Sequence, residues 1–496
     1  MAFSVVSRVA GLGALTAAGQ LVIVGSLPLY SRIFDPSAYG EYVIFFGTFT
    51  VLSVLAGMRY DSAVVLPRDD GLAAAVAGLM LLIGFGVAIL IAALTFAEAY
   101  VGLFPDLWAA TGIDFGCGLA VATALGTMQR SLTGWCIREG RFLLIGWGQF
   151  LFCVATVAAQ LSLAHVSQQL HALIWGFACA LGLQTACLAS FVLRGRRSPA
   201  RLSCGNFANA WRSIKLVARK YRRFPTYMVG YALASSARDR LIQLALGIGA
   251  GAAVVGRFGL AYRVVFAPNS LVYSAVSPVF FGIASRGDRV SVGRFAAALV
   301  ETAFVFMVVP YTAFAIEAPS LTEALLSDKW HGTGPYLQAL AGPALLLATT
   351  CWLDRAFDSF RRQSVAFSLE AGFTLVSVTV VALLSRSIDP VGVVWAFSAL
   401  ALVYYWIYFL ATFLACGFPL ADFRRACLSA VISAVFALIL GFLTHQISHL
   451  TLRILAYAVV MVAVIGGWMR YRGGAQMLRS LVQSRVAGRS NEICTG

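Results

Sequence analysis

A series of apolar segments, each about 20 residues long, recurs from one end of this sequence to the other. A helix of that length crosses the hydrocarbon core of a bilayer, which is roughly 30 Å thick. Charged residues make up only 12% of the 496 positions, whereas a soluble domain typically has about 25%. The sequence therefore predicts an all-α polytopic membrane protein with about 14 transmembrane helices. The predicted spans are residues 10–30, 42–57, 72–96, 113–136, 143–164, 170–193, 225–248, 257–284, 295–316, 336–353, 364–384, 391–415, 426–446 and 451–469.

The basic residues are distributed unevenly between the predicted loops. The net charge of +16 could suggest a nucleic-acid partner, but roughly 28 bases fall on one side of the predicted membrane and about 5 on the other. The smaller group is Arg32, Arg257, Lys329, Arg386 and Arg453. Because cytoplasmic loops are enriched in Lys and Arg, both termini are predicted to be cytoplasmic and no nucleic-acid partner is expected. The first span lacks a small-residue cleavage site, so it is predicted to be a retained helix rather than a signal peptide.

The longest basic loop, residues 194–224, divides the predicted spans into a group of six and a group of eight. Within this loop, five residues share one helical face, and basic residues lie beside or across from it. These five are Phe207, Trp211, Ile214, Ala218 and Tyr221. We expect an amphipathic helix along the inner leaflet, and a simple basic anchor is the alternative interpretation of the same pattern.

The two groups of spans contain similar short sequences. YGEYVIFFGTF begins at Tyr39, after the first span, and VGRFGLAYRVV begins at Val255, after the seventh. Both place a glycine and an aromatic residue in a short outer turn that leads into the next helix. Internal repeats are common in transporters, whose binding site lies between the repeats.

The seventh predicted span carries charges near its centre, in the stretch ASSARDRLIQLALG. Ser236, Asp239, Arg240 and Gln243 are spaced at i, i+3, i+4 and i+7, which places them on one side of a helix, whereas Arg238 points nearly the opposite way. A charge at the bilayer centre costs about 2.5–3.5 kcal/mol on insertion scales. Such residues therefore usually face a bundle interior or a water-filled cavity.

Four other spans repeat this pattern of a polar helical face. The sets are Thr123, Thr127 and Arg130; Gln149, Thr156 and Gln160; Arg263, Ser270, Ser274 and Ser277; and Gln363, Glu370, Thr374 and Ser377. Any one of these faces could instead join neighbouring helices through hydrogen bonds. The five faces together favour a hydrated central cavity.

The charges on these faces predict what the cavity binds. Arg130, Arg240 and Arg263 outnumber Asp239 and Glu370, so the lining is predicted to be cationic. Arginine binds phosphate through a planar, bidentate fork, so Arg130, Arg240 and Arg263, with Ser236 and Gln243, are candidates for binding an anionic, phosphate-bearing substrate. Arg130 and Arg263 lie about 10 Å from their span ends and could instead extend to the membrane surface. The two carboxylates either neutralise the arginines or bind a coupling cation or proton.

Other candidate sites are weaker. Most of the ten cysteines lie in apolar spans without metal-binding spacing, and His445 and His449 have no carboxylate or Cys near them in the sequence, so no metal site is expected. The adjacent acidic pair Asp69–Asp70 is interpreted as a solvated loop, which leaves a membrane glycosyltransferase or polymerase as the less favoured, enzymatic alternative. No GxxxxGK[ST] motif is present, so no built-in ATPase and no bound cofactor are expected.

Two stretches resemble one known family. Leu27 to Asp70 is similar to the start of a polysaccharide-type flippase, and Asp239 to Val264 is similar to the segment that opens the second lobe of that family. The family is the oligosaccharide flippase (O-antigen and exopolysaccharide transporter) branch of the multidrug/oligosaccharidyl-lipid/polysaccharide exporter superfamily. The matching elements are Arg32, Pro36, Tyr39-Gly40, Tyr42, Arg59-Tyr60-Asp61, Ala63 and Leu66-Pro67.

The resemblance implies two six-helix lobes, residues 1–193 and 225–416, around a central cavity, with two further helices in 417–470 and a basic tail at 471–496. It also implies alternating access and a cargo of polyprenyl-diphosphate-linked oligosaccharide, moved from the inner to the outer leaflet of a bacterial cytoplasmic membrane. Relatives carry cation-site carboxylates on the seventh and eleventh helices, which implies Na⁺ or H⁺ coupling at Asp239 and Glu370. The resemblance further implies a polysaccharide polymerase and a chain-length regulator as partners. The alternatives within the superfamily are a cation-coupled drug exporter and a lipid-linked cell-wall precursor flippase.

Overall fold

The computed structural model describes residues 2–67, 69–102, 105–194, 207–221, 229–284 and 287–471. Within these ranges the secondary structure is helical and contains no strand, which confirms the predicted fold class. The helices are α1 (Ala2–Gly25), α2 (Leu27–Ile33), α3 (Pro36–Gly57), α4 (Tyr60–Ala63), α5 (Asp70–Val101), α6 (Pro105–Arg138), α7 (Phe142–Leu163), α8 (Gln169–Arg194), α9 (Phe207–Lys220), α10 (Val229–Ala250), α11 (Ala252–Ala284), α12 (Arg289–Leu325), α13 (Gly334–Thr350), α14 (Asp354–Ser359), α15 (Gln363–Leu384), α16 (Pro390–Cys416), α17 (Leu420–His445) and α18 (Leu450–Tyr471).

Each predicted span overlaps a long helix, although the first also includes part of the short helix α2. Among the described residues, eleven segments are long and apolar enough to cross a membrane. The three long helices outside this set are α6, α10 and α11, which carry Arg130, Arg240 and Arg263. Some predicted boundaries were wrong. The first span is interrupted at Ser26, between α1 and α2, and the ninth extends over Arg289–Leu325 instead of 295–316.

The helices pack as two groups. In the first half, α7 packs against α1 and α8, and α6 packs against α5 and α8; in the second half, α13 packs against α11, α12 and α16, and α10 packs against α15. The last two helices, α17 and α18, pack on α12. Buried Glu317 of α12 anchors them, because Arg453 Nη1 lies 2.6 Å and His445 Nδ1 lies 2.9 Å from its two carboxylate oxygens. His445 therefore has a carboxylate partner that is distant in sequence, and no group of three metal-binding side chains occurs among the described residues.

The turn before the fifth span and the turn before the eleventh have the same backbone geometry. Gly140 has φ 70° and Arg361 has φ 57°. The following residue, Arg141 or Arg362, donates its backbone N–H to the carbonyl five residues earlier, at 2.9 and 2.8 Å. This is the hydrogen bond of a Schellman-type helix end. The turn before α17 has it too, since Gly417 has φ 72° and the Phe418 N–H donates to the Phe413 carbonyl at 2.8 Å, so this geometry marks a common helix end and is not evidence of an internal repeat.

The amphipathic stretch of the basic loop forms α9. Val217 is fully buried against the beginning of α5, and Ile214, Ala218 and Tyr221 pack around it. Trp211, nearer the other end of the predicted apolar face, is 42% exposed. The helix is therefore docked to the first half through one part of its apolar face.

Candidate functional site

The two halves come into backbone contact where α3 and α11 cross. A Cβ atom placed on Gly40 would lie 1.8 Å from the Ala252 carbonyl oxygen, and one placed on Gly256 would lie 1.9 Å from the Pro36 carbonyl oxygen. Real Cβ atoms essentially never approach so closely, so both positions require glycine. These glycines belong to the two similar sequences that begin at Tyr39 and Val255. We call this contact of Gly40 with Gly256 the crossing; it lies on the predicted outer side.

A short loop between α12 and α13 fastens the second half to the first, next to the crossing. The indole Nε1–H of Trp330 donates to the Phe34 carbonyl at 3.1 Å, and Trp330 is 1% exposed. Lys329 Nζ lies 2.9 Å from an Asp35 carboxylate oxygen, and this partner lowers the pKa of the Asp35 carboxyl below its ordinary value. We call these four residues the latch.

Arg263 of α11 lies directly behind the crossing. Its guanidinium donates to the Tyr39 hydroxyl at 3.2 Å. The Tyr39 ring in turn meets Trp330 of the latch edge to face, with 5.5 Å between ring centroids. Arg263 therefore joins the second half to α3 of the first through a neutral hydroxyl group.

Arg240 of α10 borders a cavity of about 220 Å³ between α10 and α3. Its guanidinium donates to the Gln243 side-chain oxygen at 3.0 Å and lies 5.3 Å from the centre of the Phe46 ring. A Cβ on Gly47 would lie 3.0 Å from Arg240 Cδ, so this glycine leaves room for the arginine. The cavity is lined by Ile44, Gly47, Thr48, Val51, Leu52, Arg240, Leu241, Gln243 and Leu244. Arg240 is the one charged residue among the lining residues whose side chains the structure describes.

Arg130 of α6 contacts α3 near its far end. Its guanidinium donates to the Ser53 hydroxyl at 2.9 Å and to the Ser53 carbonyl at 3.2 Å. Both groups are neutral, and both belong to the first half of the chain.

The three predicted arginines therefore all touch α3, but at different heights. Arg263, Arg240 and Arg130 contact Tyr39, Phe46 and Ser53 respectively, and each contacted residue lies seven positions after the one before it. With a rise of 1.5 Å per residue, each interval is about 10 Å, so the arginines do not converge on a single point. No carboxylate among the described side chains lies within 4 Å of any of the three guanidinium groups.

The predicted carboxylate Glu370 lies away from this stripe, between α10, α15 and α16. Arg238 Nη1 lies 2.6 Å from one of its carboxylate oxygens, and the Tyr404 hydroxyl donates to the other at 2.5 Å. Phe373 completes the cluster, since the Arg238 guanidinium lies 5.1 Å from its ring and Tyr404 stacks on it at 4.0 Å. Arg238 was not among the predicted site residues. Its isolated position on the helical wheel was the available signal, because a lone buried charge needs a partner.

The structure does not describe the side chains of two predicted site residues. Ser236 and Asp239 lie within α10, but their side chains are outside the described part of the structure. The same holds for Ser274 of α11. Coupling at Asp239 therefore stays a prediction.

Two residues of the predicted polar faces, Gln160 and Ser277, join neighbouring helices and do not line the cavity. Gln160 accepts a hydrogen bond from Tyr30 at 2.5 Å and donates to the Leu173 carbonyl at 2.7 Å. Ser277 accepts from Arg355 Nε at 3.0 Å. For these two positions, the alternative interpretation of polar contacts between helices is the one observed.

Comparison with known proteins agrees with this architecture. The family described as "Polysaccharide biosynthesis protein" matches residues 29–335, which is more than half of the chain. No curated protein sequence matches.

Solved structures show the same fold at low sequence identity. The lipid II flippase MurJ in an inward closed conformation has 14% identity and a TM-score of 0.69, covering 92% of this chain and 98% of MurJ. An inward-facing multidrug resistance MATE transporter of the MOP superfamily has 14% identity and a TM-score of 0.60, covering 82% and 94%. A MOP superfamily transporter from Pyrococcus furiosus, described as having a binding pocket of reverse polarity, has 12% identity and a TM-score of 0.54, covering 83% and 95%.

Proposed function

The chain belongs to the polysaccharide biosynthesis protein family, and from that premise we propose that it is a flippase for polyprenyl-diphosphate-linked oligosaccharide repeat units. In this proposal the lipid-linked unit moves from the inner to the outer leaflet of the bacterial cytoplasmic membrane, where it serves surface polysaccharide synthesis. Both termini are cytoplasmic, and the two halves alternate between inward-open and outward-open states.

The observation that carries this proposal is the position of Arg240. It borders a cavity between the two halves, and the partners described for it are an amide oxygen and an aromatic ring rather than a carboxylate. A guanidinium held by neutral groups stays available to an anion, and its fork matches phosphate oxygens. The remaining lining is mostly apolar, which suits the lipid end of such a substrate.

Energy coupling and protein partners belong to the same proposal. A Na⁺ or H⁺ gradient would act through Asp239 or Glu370, and Glu370 would have to exchange Arg238 for the coupling ion. A polymerase and a chain-length regulator would use the translocated units on the outer side.

The test is deletion of the gene, followed by measurement of lipid-linked oligosaccharide in the membrane and of polymer at the cell surface. We expect lipid-linked units to accumulate, shielded from an outside probe, while surface polymer is lost. Arg240→Ala should fail to restore polymer, whereas Arg386→Ala, which removes an exposed arginine from the turn between α15 and α16, should restore it. Normal polymer with well-expressed Arg240→Ala would contradict the proposed role of Arg240.

Other outcomes identify the alternative functions. Unchanged lipid and polymer pools with altered drug tolerance would indicate a drug exporter. Lysis on depletion would indicate a cell-wall precursor flippase, and loss of the lipid-linked unit itself would indicate an enzyme.

A further inference from the structure

Three arginines from three different helices meet one stripe of α3. Arg263 comes from α11, Arg240 from α10 and Arg130 from α6, and they contact Tyr39, Phe46 and Ser53. Residues seven apart lie on nearly the same side of a helix, so these three contacts share one face of α3. The first and last are about 21 Å apart along the helix axis, which is most of the roughly 30 Å hydrocarbon core.

We propose that Arg130, Arg240 and Arg263 form a track along α3 that passes an anionic diphosphate across the membrane in two steps of about 10 Å. This proposal rests on the proposed function, because it describes the path of the same substrate. Arg130, nearest the predicted inner side, receives the diphosphate; Arg240 holds it at the cavity; Arg263 releases it at the predicted outer side.

The contacts of the track residues are the kind that a phosphate can replace. A hydroxyl, an amide oxygen and a ring face bind a guanidinium more weakly than a charged, bidentate phosphate does. Arg138, Arg238 and Arg453 differ in this respect, because each lies within 2.7 Å of a carboxylate oxygen. Arg138, Arg238 and Arg453 are fixed by ion pairs, whereas the groups that contact the track arginines directly are neutral, and the Asp61 carboxylate acts on Arg130 only from beyond 4 Å.

Opening at the crossing would release the last arginine of the track. Arg263 belongs to the second half and its hydroxyl partner, Tyr39, belongs to the first, next to Gly40 of the crossing. When the halves separate there, the hydrogen bond between Arg263 and Tyr39 must break. The guanidinium then becomes available to the diphosphate in the state from which the substrate leaves.

The experiment uses the full-length protein in liposomes and a fluorescent polyprenyl diphosphate that carries one sugar. Gln and Lys replacements are compared at Arg130 and Arg263, because Gln removes the charge and Lys keeps it. We expect Arg130→Gln to raise the half-saturating probe concentration at least tenfold, since it removes the first contact. We expect Arg263→Gln to lower the maximal rate at least tenfold with little change in half-saturation, since it acts on release. Lys should recover only part of each loss, because it keeps the charge but lacks the bidentate fork of arginine.

Controls separate failure of the track from failure of the flippase. Arg386→Gln, outside the track, should leave both parameters unchanged. If only Arg240→Gln is impaired, the protein has one binding site and the track is wrong, although the flippase function stands. If Gln and Lys behave alike at both positions, these arginines act through packing and the track is again wrong. If the wild-type protein does not move the probe, the proposed function fails and the track fails with it.

Discussion

Substitution of Gly256 by alanine tests whether the crossing opens during transport. The added Cβ would lie 1.9 Å from the Pro36 carbonyl oxygen, and real contacts are not shorter than 3.0 Å, so α3 and α11 must separate by more than 1 Å. Overpacking of a well-packed contact costs about 1–3 kcal/mol. The cost falls only on the state in which the crossing is formed. The population of that state should therefore decrease about 5- to 150-fold relative to a state open at this end.

The assay is labelling of a cysteine that the crossing covers. Val43, 8% exposed and packed on Gly259, is replaced by Cys in a background that lacks the ten native cysteines. A membrane-impermeant maleimide added from the predicted outer side should react faster with the Gly256→Ala protein, by up to the population ratio above. Gly86→Ala is the matched control, because a Cβ there meets no atom within 4 Å.

Equal labelling of the Gly256→Ala and Gly86→Ala proteins would refute the reasoning, since the crossing would then be a static contact. Gly40→Ala should behave like Gly256→Ala. Because one separation of the helices accommodates both methyl groups, the double variant should label little faster than either single variant.

Three further predictions concern the ion pairs and the latch region. Arg238→Ala should lower the stability measured by thermal unfolding by about 3–5 kcal/mol, because it leaves the Glu370 carboxylate buried without its cation, and adding Glu370→Gln should recover most of the loss. Cysteines at Ser31 and Ser327, where the Ser327 N–H donates to the Ser31 hydroxyl at 3.1 Å, should form a disulfide that stops transport until a reductant is added. Lys329 lowers the pKa of the Asp35 carboxyl, so this ion pair stabilises the folded state, by about 0.2–1 kcal/mol for an exposed pair. The stabilisation should be complete above pH 3.8, the ordinary pKa of the group, and should disappear as the pH falls through the lower pKa of the folded state. Comparing the thermal unfolding of Asp35→Asn with that of wild type over this pH range measures the contribution.

The membrane-spanning architecture could be predicted because its signal is local. Helix length and apolar composition are read directly along the chain, and the structure has one long helix for each predicted span. Even the three less apolar helices were informative. They supply three of the five polar faces from which a cavity is predicted, and they carry the arginines that contact α3.

The partner of a buried charge could not be predicted in the same way. A helical wheel gives the direction of Arg238 but not the identity of the helix on that side. Its partner, Glu370, lies 132 residues further along the chain, on a helix whose position depends on the packing of the whole second half. The wheel correctly separated Arg238 from Arg240, and the structure explains the separation, because one arginine is paired inside the second half and the other faces the first half.

The heights of the arginines depend on helix tilt and loop length, which the residue pattern of α6, α10 or α11 does not specify. The sequence of α3 does contain a signal that could have shown them. Tyr39-Gly40 and Phe46-Gly47 repeat an aromatic residue and a glycine after seven positions, and Ser53 follows seven positions later. A glycine lets another helix or a long side chain approach, and the adjacent polar or aromatic group receives a guanidinium through a hydrogen bond or its ring face. A seven-residue repeat places these features on one face of α3, where several helices or long side chains can contact it. The three arginines contact α3 on that face.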